Sequence, residues 1–355
     1  MQSLLHPDLA PLKAWLAERG FPAYRAAQIQ QWVYQRRAKD IGEMSDLPKK
    51  LREALAAEWL MWTGQVVRHQ TSADGTEKLL LEFPGGESSP GVPGRIECVL
   101  LRDGDRRSIC ISSQVGCAMG CVFCASGLDG VDRNLKTAEI IEQMLLLQRL
   151  LPAEERLSHI VVMGMGEPLA NLDNVLAALD VASDDKGLGI SHRRITISTV
   201  GLPKQLHQLC ERNARYHLAV SLHAPNDQLR NEIVPVNKNI GLDEVIAAAD
   251  RYFEVSGRRL TFEYVLLAGI NDQPQHAKQL VSLLAKRTAL LNVIPYNPVA
   301  GLPYQTPSAS AVNRFRDILL EGGINIKFRQ RKGAEIDAAC GQLRRSTPNL
   351  VSIGS

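Results

Sequence analysis

Apolar positions recur at i, i+3 and i+4 between Leu9 and Glu18 and again between Ala26 and Arg36, the spacing of one buried helix face. Leu47–Trp62 predicts a third helix, with Pro48 near its first turn. The period then changes. Gly75–Phe83 (GTEKLLLEF) reads as a strand, residues 84–94 as a loop crowded with Gly, Pro and Ser, and Ile96–Leu101 as a second strand. Further on, short β-branched runs at 108–113, 158–163, 194–198, 216–221, 260–266, 290–295 and 323–328 alternate with helical patterns. The helices are predicted at Thr137–Leu150, Leu172–Ala182, Pro203–Arg212, Leu242–Val255, Pro274–Arg287 and Ser310–Glu321, and Thr137 can cap the first, with Glu139 in its first turn. Such alternation implies parallel strands joined by crossover helices. The pattern alone fits a full barrel, a partial barrel or an open doubly wound sheet. The expected organisation is a helical N-terminal domain over 1–95 ending in a short β segment, an α/β domain over 96–345, and a tail over 346–355.

Length and composition agree with two units. The chain has 355 residues, whereas a single core stops growing at about 250–300, and all four Trp (Trp15, Trp32, Trp59, Trp62) lie in the first 62 residues. A hydrophobic share of 45% and a charged share of 22% describe an ordinary globular protein. The net charge of +3 declares no basic nucleic-acid arm and leaves room only for a local patch. MQSLLHPDLAPL has neither a basic n-region nor a sustained apolar core, and the longest uncharged run, Thr288–Asn313, contains four prolines. A cytoplasmic protein without membrane contact is expected.

Cysteine changes the picture most. There are seven, an odd count, and five of them fall between Cys98 and Cys124. In a reducing compartment such clustering points to metal ligation or catalysis rather than a disulfide scaffold. Cys117, Cys121 and Cys124 form a C-x3-C-x2-C run, with Gly116 and Gly120 letting the loop curl. Three thiolates are one short of a closed zinc site or a fully ligated iron–sulfur cluster. The missing ligand leaves one iron open to a substrate or cofactor; the competing explanation is zinc completed by a distant Cys or His. With Phe123 before the last cysteine, the spacing resembles that of radical S-adenosylmethionine (SAM) enzymes.

Polar residues also gather where successive strands end. Gly164-Met-Gly166-Glu167-Pro168 follows one predicted strand, Ser198 ends the next, Ser221-Leu222-His223 the one after, and Asn297 follows another. The C-terminal ends of parallel strands are where a barrel builds its active site. Glu167 can accept hydrogen bonds from a ligand ammonium group. Cys98 and Cys210 read as small core residues. Cys340, in the polar-flanked IDAACGQL, points instead to reactivity.

Taken in order, CISSQVGCAMGCVFC (110–124), Asn134-Leu135, GMGEP (164–168), SLHAP (221–225) and IDAACGQL (336–343) resemble the RlmN/Cfr family of radical SAM RNA methyltransferases. The likeness runs from about Glu97 to Leu343, the helical N-terminal region is similar to the family's accessory domain, and the loop over 84–94 reads as a local lengthening. It implies a partial (β/α)6 radical-SAM barrel and methylation of adenine carbon 2 in 23S rRNA and in tRNA, at the adenine 3′ of the anticodon. It also implies a 4Fe–4S cluster on Cys117, Cys121 and Cys124, and SAM, two molecules per turnover, bound by Gly166, Glu167, Ser198, Ser221, Leu222, His223 and Asn297. Cys340 would carry the methyl group, Cys110 would resolve the adduct through a transient Cys110–Cys340 disulfide, and Glu97 would accept a proton. A flavodoxin-type electron donor and a monomeric enzyme are expected. The alternatives are methylation of adenine carbon 8, as in the Cfr branch, and a non-catalytic zinc-dependent RNA-binding protein. Arg36-Arg37, Lys49-Lys50, Arg331-Lys332 and Arg344-Arg345 are candidate phosphate contacts. From Ile324 onward there are six Lys/Arg against two Asp/Glu, with Cys340 among them.

Overall fold

The computed structural model describes residues 2–85, 93–329 and 331–344. Most of the loop read over 84–94, Arg345 and the tail over 346–355 lie outside the described residues.

The chain begins with β1 (Gln2–Ser3), α1 (Ala10–Glu18), α2 (Arg25–Tyr34), α3 (Lys49–Glu58) and β2 (Trp59–Leu60). The third helix stops at Glu58 rather than running to Trp62, because Trp59 and Leu60 turn extended and pair in parallel with Gln2 and Ser3. Leu12, Trp15 and Leu16 of α1 meet Ile29 and Val33 of α2 and Leu51 and Leu55 of α3 in one buried cluster, and Trp15 meets Trp59 edge-on at 6.0 Å. Trp15 Nε1 also donates to Glu58 Oε2 at 2.9 Å, so the indole buries its ring and satisfies its one donor.

Next come β3 (Gln65–Thr71), β4 (Glu77–Phe83), β5 (Gly94–Asp103), β6 (Arg106–Cys110), β7 (Gln114–Gly116), β8 (Val131–Asn134), α4 (Thr137–Gln148), β9 (His159–Val162) and α5 (Leu172–Ser183). The remainder runs β10 (Ile195–Thr199), α6 (Pro203–Glu211), β11 (His217–Ser221), α7 (Asp227–Ile233), α8 (Leu242–Ser256), β12 (Leu260–Leu266), α9 (Pro274–Leu284), β13 (Ala289–Pro295), α10 (Ala309–Glu321) and β14 (Ile326–Phe328).

One ten-stranded sheet in the order β14-β13-β12-β11-β10-β9-β6-β5-β4-β3 organises the molecule. From β6 to β14 every pairing is parallel, and β6, β9, β10, β11, β12 and β13 are each followed by helix before the next parallel strand. This is a partial (β/α)6 barrel preceded by a small helical N-terminal unit. Along the parallel strands Ile195, Ile197, Leu218, Val220, Phe262, Tyr264 and Val293 share one buried apolar face, while Thr196, Ser198, Ala219, Ser221, Thr261 and Glu263 share the other, which lines the interior.

The strand β5 spans residue 95, and β3, β4 and β5 continue the barrel sheet in antiparallel pairing from β6. Residues on both sides of the expected boundary therefore share one sheet. Farther back, the buried Glu142 of α4 accepts from Thr63 N (2.9 Å), Thr63 Oγ1 (2.7 Å) and Gly64 N (2.8 Å), fixing the end of the helical unit to the barrel. Thr137 is the first residue of α4 rather than its cap: Glu139 Oε2 accepts from Lys136 N at 2.8 Å, while Thr137 Oγ1 donates to Asn174 Oδ1. The last strand begins at Ile326, not 323, since Gly323 takes a left-handed turn after α10. Among the described residues no helix is long and apolar enough to cross a membrane.

Candidate active site

The C-terminal ends of the parallel strands open into a cleft of about 910 Å³, part of it open to solvent. Cys117, Cys121, Cys124, Gly166, Glu167, Ser198, Ser221, His223, Asn297 and Cys340 line it together, although they are drawn from positions more than 200 residues apart in the sequence. Leu222, Cys110 and Glu97 do not reach the cleft wall.

The cysteine loop starts where β7 ends. Gly116 and Gly120 adopt φ of +79° and +67°, a region that costs a side-chain-bearing residue strain, and this curls the chain back on itself. Cys117 N donates to Gly130 O (2.9 Å), Cys124 N to Cys121 O (3.1 Å), and Val122 N to Ile233 O (3.1 Å). Burial pushes the Cys117 thiol up to about 12 and raises Cys121 and Cys124 as well, and Cys121 is raised further by the other two sulfurs. The sulfurs stand near enough to raise one another, and thiolates at these positions would be stabilised by a multiply charged metal centre. Among the described residues no three His, Cys, Asp or Glu side chains converge on a single metal ion. A cluster places its ligands at separate corners, and a set of three cysteines beside an open cleft fits such a group with one position free.

The GMGEP turn lies against this loop, with the Gly166 amide within hydrogen-bond reach of the Cys117 sulfur. A Cβ on Gly166, at φ +101°, would sit 2.6 Å from Gln114 Cβ and 2.8 Å from Gln114 N, so only glycine lets the two segments approach. Gln114 Oε1 accepts from Glu167 N at 2.8 Å, which fixes the next residue. The Glu167 carboxylate is 2% exposed and accepts from Leu169 N (3.0 Å) and Val200 N (2.9 Å). Burial pushes its pKa up to about 6 in spite of those donors. It is an anion held by amides at the cleft wall, suited to a ligand cation.

His223 takes the left-handed conformation (φ +58°) and accepts from Val265 N through Nδ1 at 3.0 Å. Burial, reinforced by Arg230, pushes its pKa down to about 3, so the ring is neutral at physiological pH. It meets Phe123 edge-on at 4.8 Å and thereby supports the cysteine loop. Asn297 Nδ2 donates to Cys340 O at 3.1 Å. Leu222 is fully buried, with its amide donating to Glu263 O.

Residues 331–344 form a strap across the mouth, and Cys340 sits on it facing the cleft. Ala125 N donates to Gly341 O (2.7 Å), Ser126 Oγ to Leu343 O (2.7 Å), and Gln342 Nε2 to Pro298 O (2.8 Å). Cys110 lies behind, at the end of β6. Its thiol is pushed up to about 12 by burial first and then by the Cys340 sulfur, while Arg329 and the Met163 amide act the other way. Glu97 is buried on β5, with Oε1 2.8 Å from Lys78 Nζ and Oε2 accepting from Arg344 N at 2.9 Å. Burial raises its pKa, partly offset by Lys78.

Four charged residues escaped the sequence reading. Arg230, fully buried, donates to Val200 O, Ser221 O, Leu222 O and Asn237 Oδ1, tying together the ends of β10 and β11. Lys78, Glu263 and Arg329 are the others. Glu263 interrupts the apolar run LTFEYVL, and Arg329 directly follows Phe328 at a strand end, the rule that had already found Ser198 and Ser221. Several candidate phosphate contacts are engaged within the chain. Arg36 pairs with Asp46 (3.0 Å), Arg37 donates to the carbonyls of Leu151 and Pro152, Lys49 lies 3.8 Å from Glu53, Lys332 pairs with Asp103 (2.8 Å), and Arg344 lies 3.5 Å from Asp337.

Residues 111–281 match the model of the radical SAM superfamily, which covers the cysteine loop and most of the barrel. Residues 2–60 match the N-terminal domain of ribosomal RNA large subunit methyltransferases. A protein of Rhodopirellula baltica named as a probable dual-specificity RNA methyltransferase RlmN is 62% identical over 343 residues, 97% of this chain and 91% of its own length. Its namesake in Symbiobacterium thermophilum is 45% identical, again over 97% and 91%. The crystal structure of a radical SAM methyltransferase from Sphaerobacter thermophilus superposes with a TM-score of 0.91 at 40% identity, covering 98% of this chain and all of that one. The chain belongs to the RlmN family of radical SAM RNA methyltransferases.

Proposed function

We propose that this enzyme methylates carbon 2 of adenine in 23S rRNA and in tRNA, at the adenine 3′ of the anticodon, with Cys340 as methyl carrier and two SAM molecules per turnover. The observation that carries the reading is the placing of Cys340 in the same cleft as the cysteine triplet, with Cys110 beneath it. The naming of close relatives as dual-specificity RNA methyltransferases supports the two RNA substrates.

Adenine carbon 2 is an electron-poor amidine carbon and does not attack an electrophilic methyl group. A protein sulfur can. The Cys340 thiolate takes a methyl group from one SAM by nucleophilic substitution. With a 4Fe–4S cluster held by Cys117, Cys121 and Cys124, the second SAM supplies the radical that removes a hydrogen atom from this methyl group. Glu167, anchored by the amides of Leu169 and Val200, holds the ammonium of that SAM, and Ser198, Ser221, His223 and Asn297 complete its walls. The carbon on Cys340 joins carbon 2, and the radical adduct regains a closed shell by giving up one electron, for which the cluster would be the acceptor, and the carbon-2 proton, which Glu97 accepts. Cys110 thiolate then attacks the Cys340 sulfur. The new S–S bond forms as the S–CH₂ bond breaks, its electron pair passes to the adenine carbon, and a proton completes the methyl group. A thiol reductant resets the disulfide, and a flavodoxin-type protein supplies the cluster's electron. The target base has to leave its stack to enter the cleft.

Nucleoside mapping tests the reading. Reconstituted enzyme with SAM, reductant and RNA should yield 2-methyladenosine from both rRNA and tRNA. The appearance of 8-methyladenosine in its place would overturn the position of methylation. A colourless anaerobic preparation holding zinc and no iron or sulfide would overturn the chemistry.

A further inference from the structure

Arg329 is the first residue past β14, and its side chain turns into the cleft instead of towards water. Nη1 lies 3.4 Å from the Cys340 sulfur and 3.9 Å from Met163 Sδ. Among the described residues, these two sulfurs are the hydrogen-bond partners of its guanidinium. Glu263, buried in the cleft wall on β12 and held by Asn292 Nδ2 at 2.7 Å, supplies an opposite charge close by. A half-buried guanidinium still gains from being paired. The pairing here is unusual: the carboxylate stays at the level of the field, while the directed N–H bond goes to a cysteine. The arginine's affinity for its proton is raised first by Cys340 and then by Glu263, against its burial.

We propose that Arg329 is a catalytic residue of the methyl-acceptor step, its guanidinium donating to the Cys340 sulfur and aiming that sulfur into the cleft. This rests on the reading of Cys340 as the methyl acceptor. In the step itself the thiol proton leaves to solvent through the open side of the cleft. The sulfur lone pair forms the S–CH₃ bond, the bond from the methyl carbon to the SAM sulfur breaks, and its electron pair remains on the departing thioether. The Cys340 sulfur ends uncharged. Glu263 then becomes the anion that faces Arg329, so the half-buried cation has a counter-charge before and after methyl transfer. A bare Arg–Cys contact would leave it stranded once the methyl group arrived.

The test uses the reconstituted full-length enzyme under anaerobic conditions and a neutral electrophile. Iodoacetamide is added in limiting amounts between about pH 6.5 and 9, and modification of the Cys340 peptide is followed by mass spectrometry. Arg329→Met should slow Cys340 at about pH 7 by roughly tenfold or more, the range expected for loss of a hydrogen bond to a charged group. Arg329→Lys should restore part of the rate. Should Arg329→Met not melt cooperatively, Arg329→Met/Glu263→Gln removes both charges together and carries the same expectation. A folded variant lacking the arginine that alkylates at the wild-type rate across the pH range overturns the proposal. Separately, wild-type protein incubated with SAM should gain the mass of one methylene on the Cys340 peptide. Its absence would overturn the methyl-acceptor reading while leaving the alkylation contrast in place, so the two failures are told apart.

Discussion

Lys78 and Glu97 face one another across β4 and β5 with their side chains 5% exposed each and 2.8 Å between Nζ and Oε1. Lys78→Met keeps the length and apolar stem of the side chain and removes only the ammonium. Glu97 is then left buried with the Arg344 amide as its remaining donor, and the Asp337 carbonyl, 3.1 Å from Nζ, loses its partner too. Breaking a buried pair from one side costs about 3–5 kcal/mol. At about 2 °C per kcal/mol for a chain of this size, the melting temperature should fall by roughly 6–10 °C. The loss depends on pH. Burial already raises the Glu97 pKa above its unfolded value and removal of Lys78 raises it further, so the folded variant binds a proton more tightly than the unfolded chain. Stability from such a group is full below its unfolded pKa and is lost as pH rises through the folded one. The deficit should therefore be small near pH 5 and complete near pH 8, as read by calorimetric melts. Lys78→Met/Glu97→Gln keeps an acceptor for Arg344 N without the charge, and should recover most of the loss. A single variant within a degree of wild type at pH 8, or a double variant no better than the single, would refute the assignment of this pair as a buried, mutually dependent unit.

Cys340→Ala should abolish methylated-RNA formation while the iron and sulfide content of reconstituted protein stays at the wild-type level; loss of iron would move Cys340 into the cluster's ligand set. Cys110→Ala should accumulate a covalent protein–RNA adduct through Cys340, visible as a shifted band on denaturing gels, and release of product at the normal rate would remove Cys110 from the mechanism. Gly166→Ala would put a methyl group 2.6 Å from Gln114 Cβ in a backbone conformation that alanine avoids. It should weaken SAM binding by tenfold or more in equilibrium dialysis while the protein still folds, whereas an unchanged affinity would show that the GMGEP turn does not shape the SAM site.

What could be read in the sequence was the part governed by period and by cysteine spacing. The strand–helix alternation from residue 106 onward left its mark because each strand is buried and each helix shows one apolar face. The edge strand β3 was invisible for the opposite reason: QVVRHQT carries Val66 and Val67 out into solvent, with a register irregularity between Val66 and Arg68, so no apolar alternation survives. The β7–β8 ladder is only a few residues long and is made by the cysteine loop's own curl. Within the site, residues at strand ends were found by position. Arg230, Lys78 and Arg329 were passed over because arginine and lysine read as surface residues, and only the partners they meet in three dimensions explain their burial.

Those partners give the antiparallel strands a reason to exist. A six-unit parallel barrel has no need of β3, β4 and β5, yet each of them, or a turn between them, grips the strap that carries Cys340. Asp74 Oδ2 accepts from Gly333 N at 2.8 Å, Glu335 accepts from Ser72 Oγ and Ala73 N at 3.2 Å each, and Lys78 Nζ donates to Asp337 O. Lys332 pairs with Asp103, and Glu97 takes Arg344 N. These anchors flank Cys340 on both sides, while the barrel itself holds the centre through Asn297, Ala125 and Arg329. On the proposed route Cys340 faces a small cofactor, then a base, then a second cysteine, and that route calls for a mount fixed at its ends and contacted in the middle by the site alone. The sheet extension is that mount, and its anchors are directed ion pairs and hydrogen bonds, those of Lys78 and Glu97 buried, rather than an apolar face that could slide.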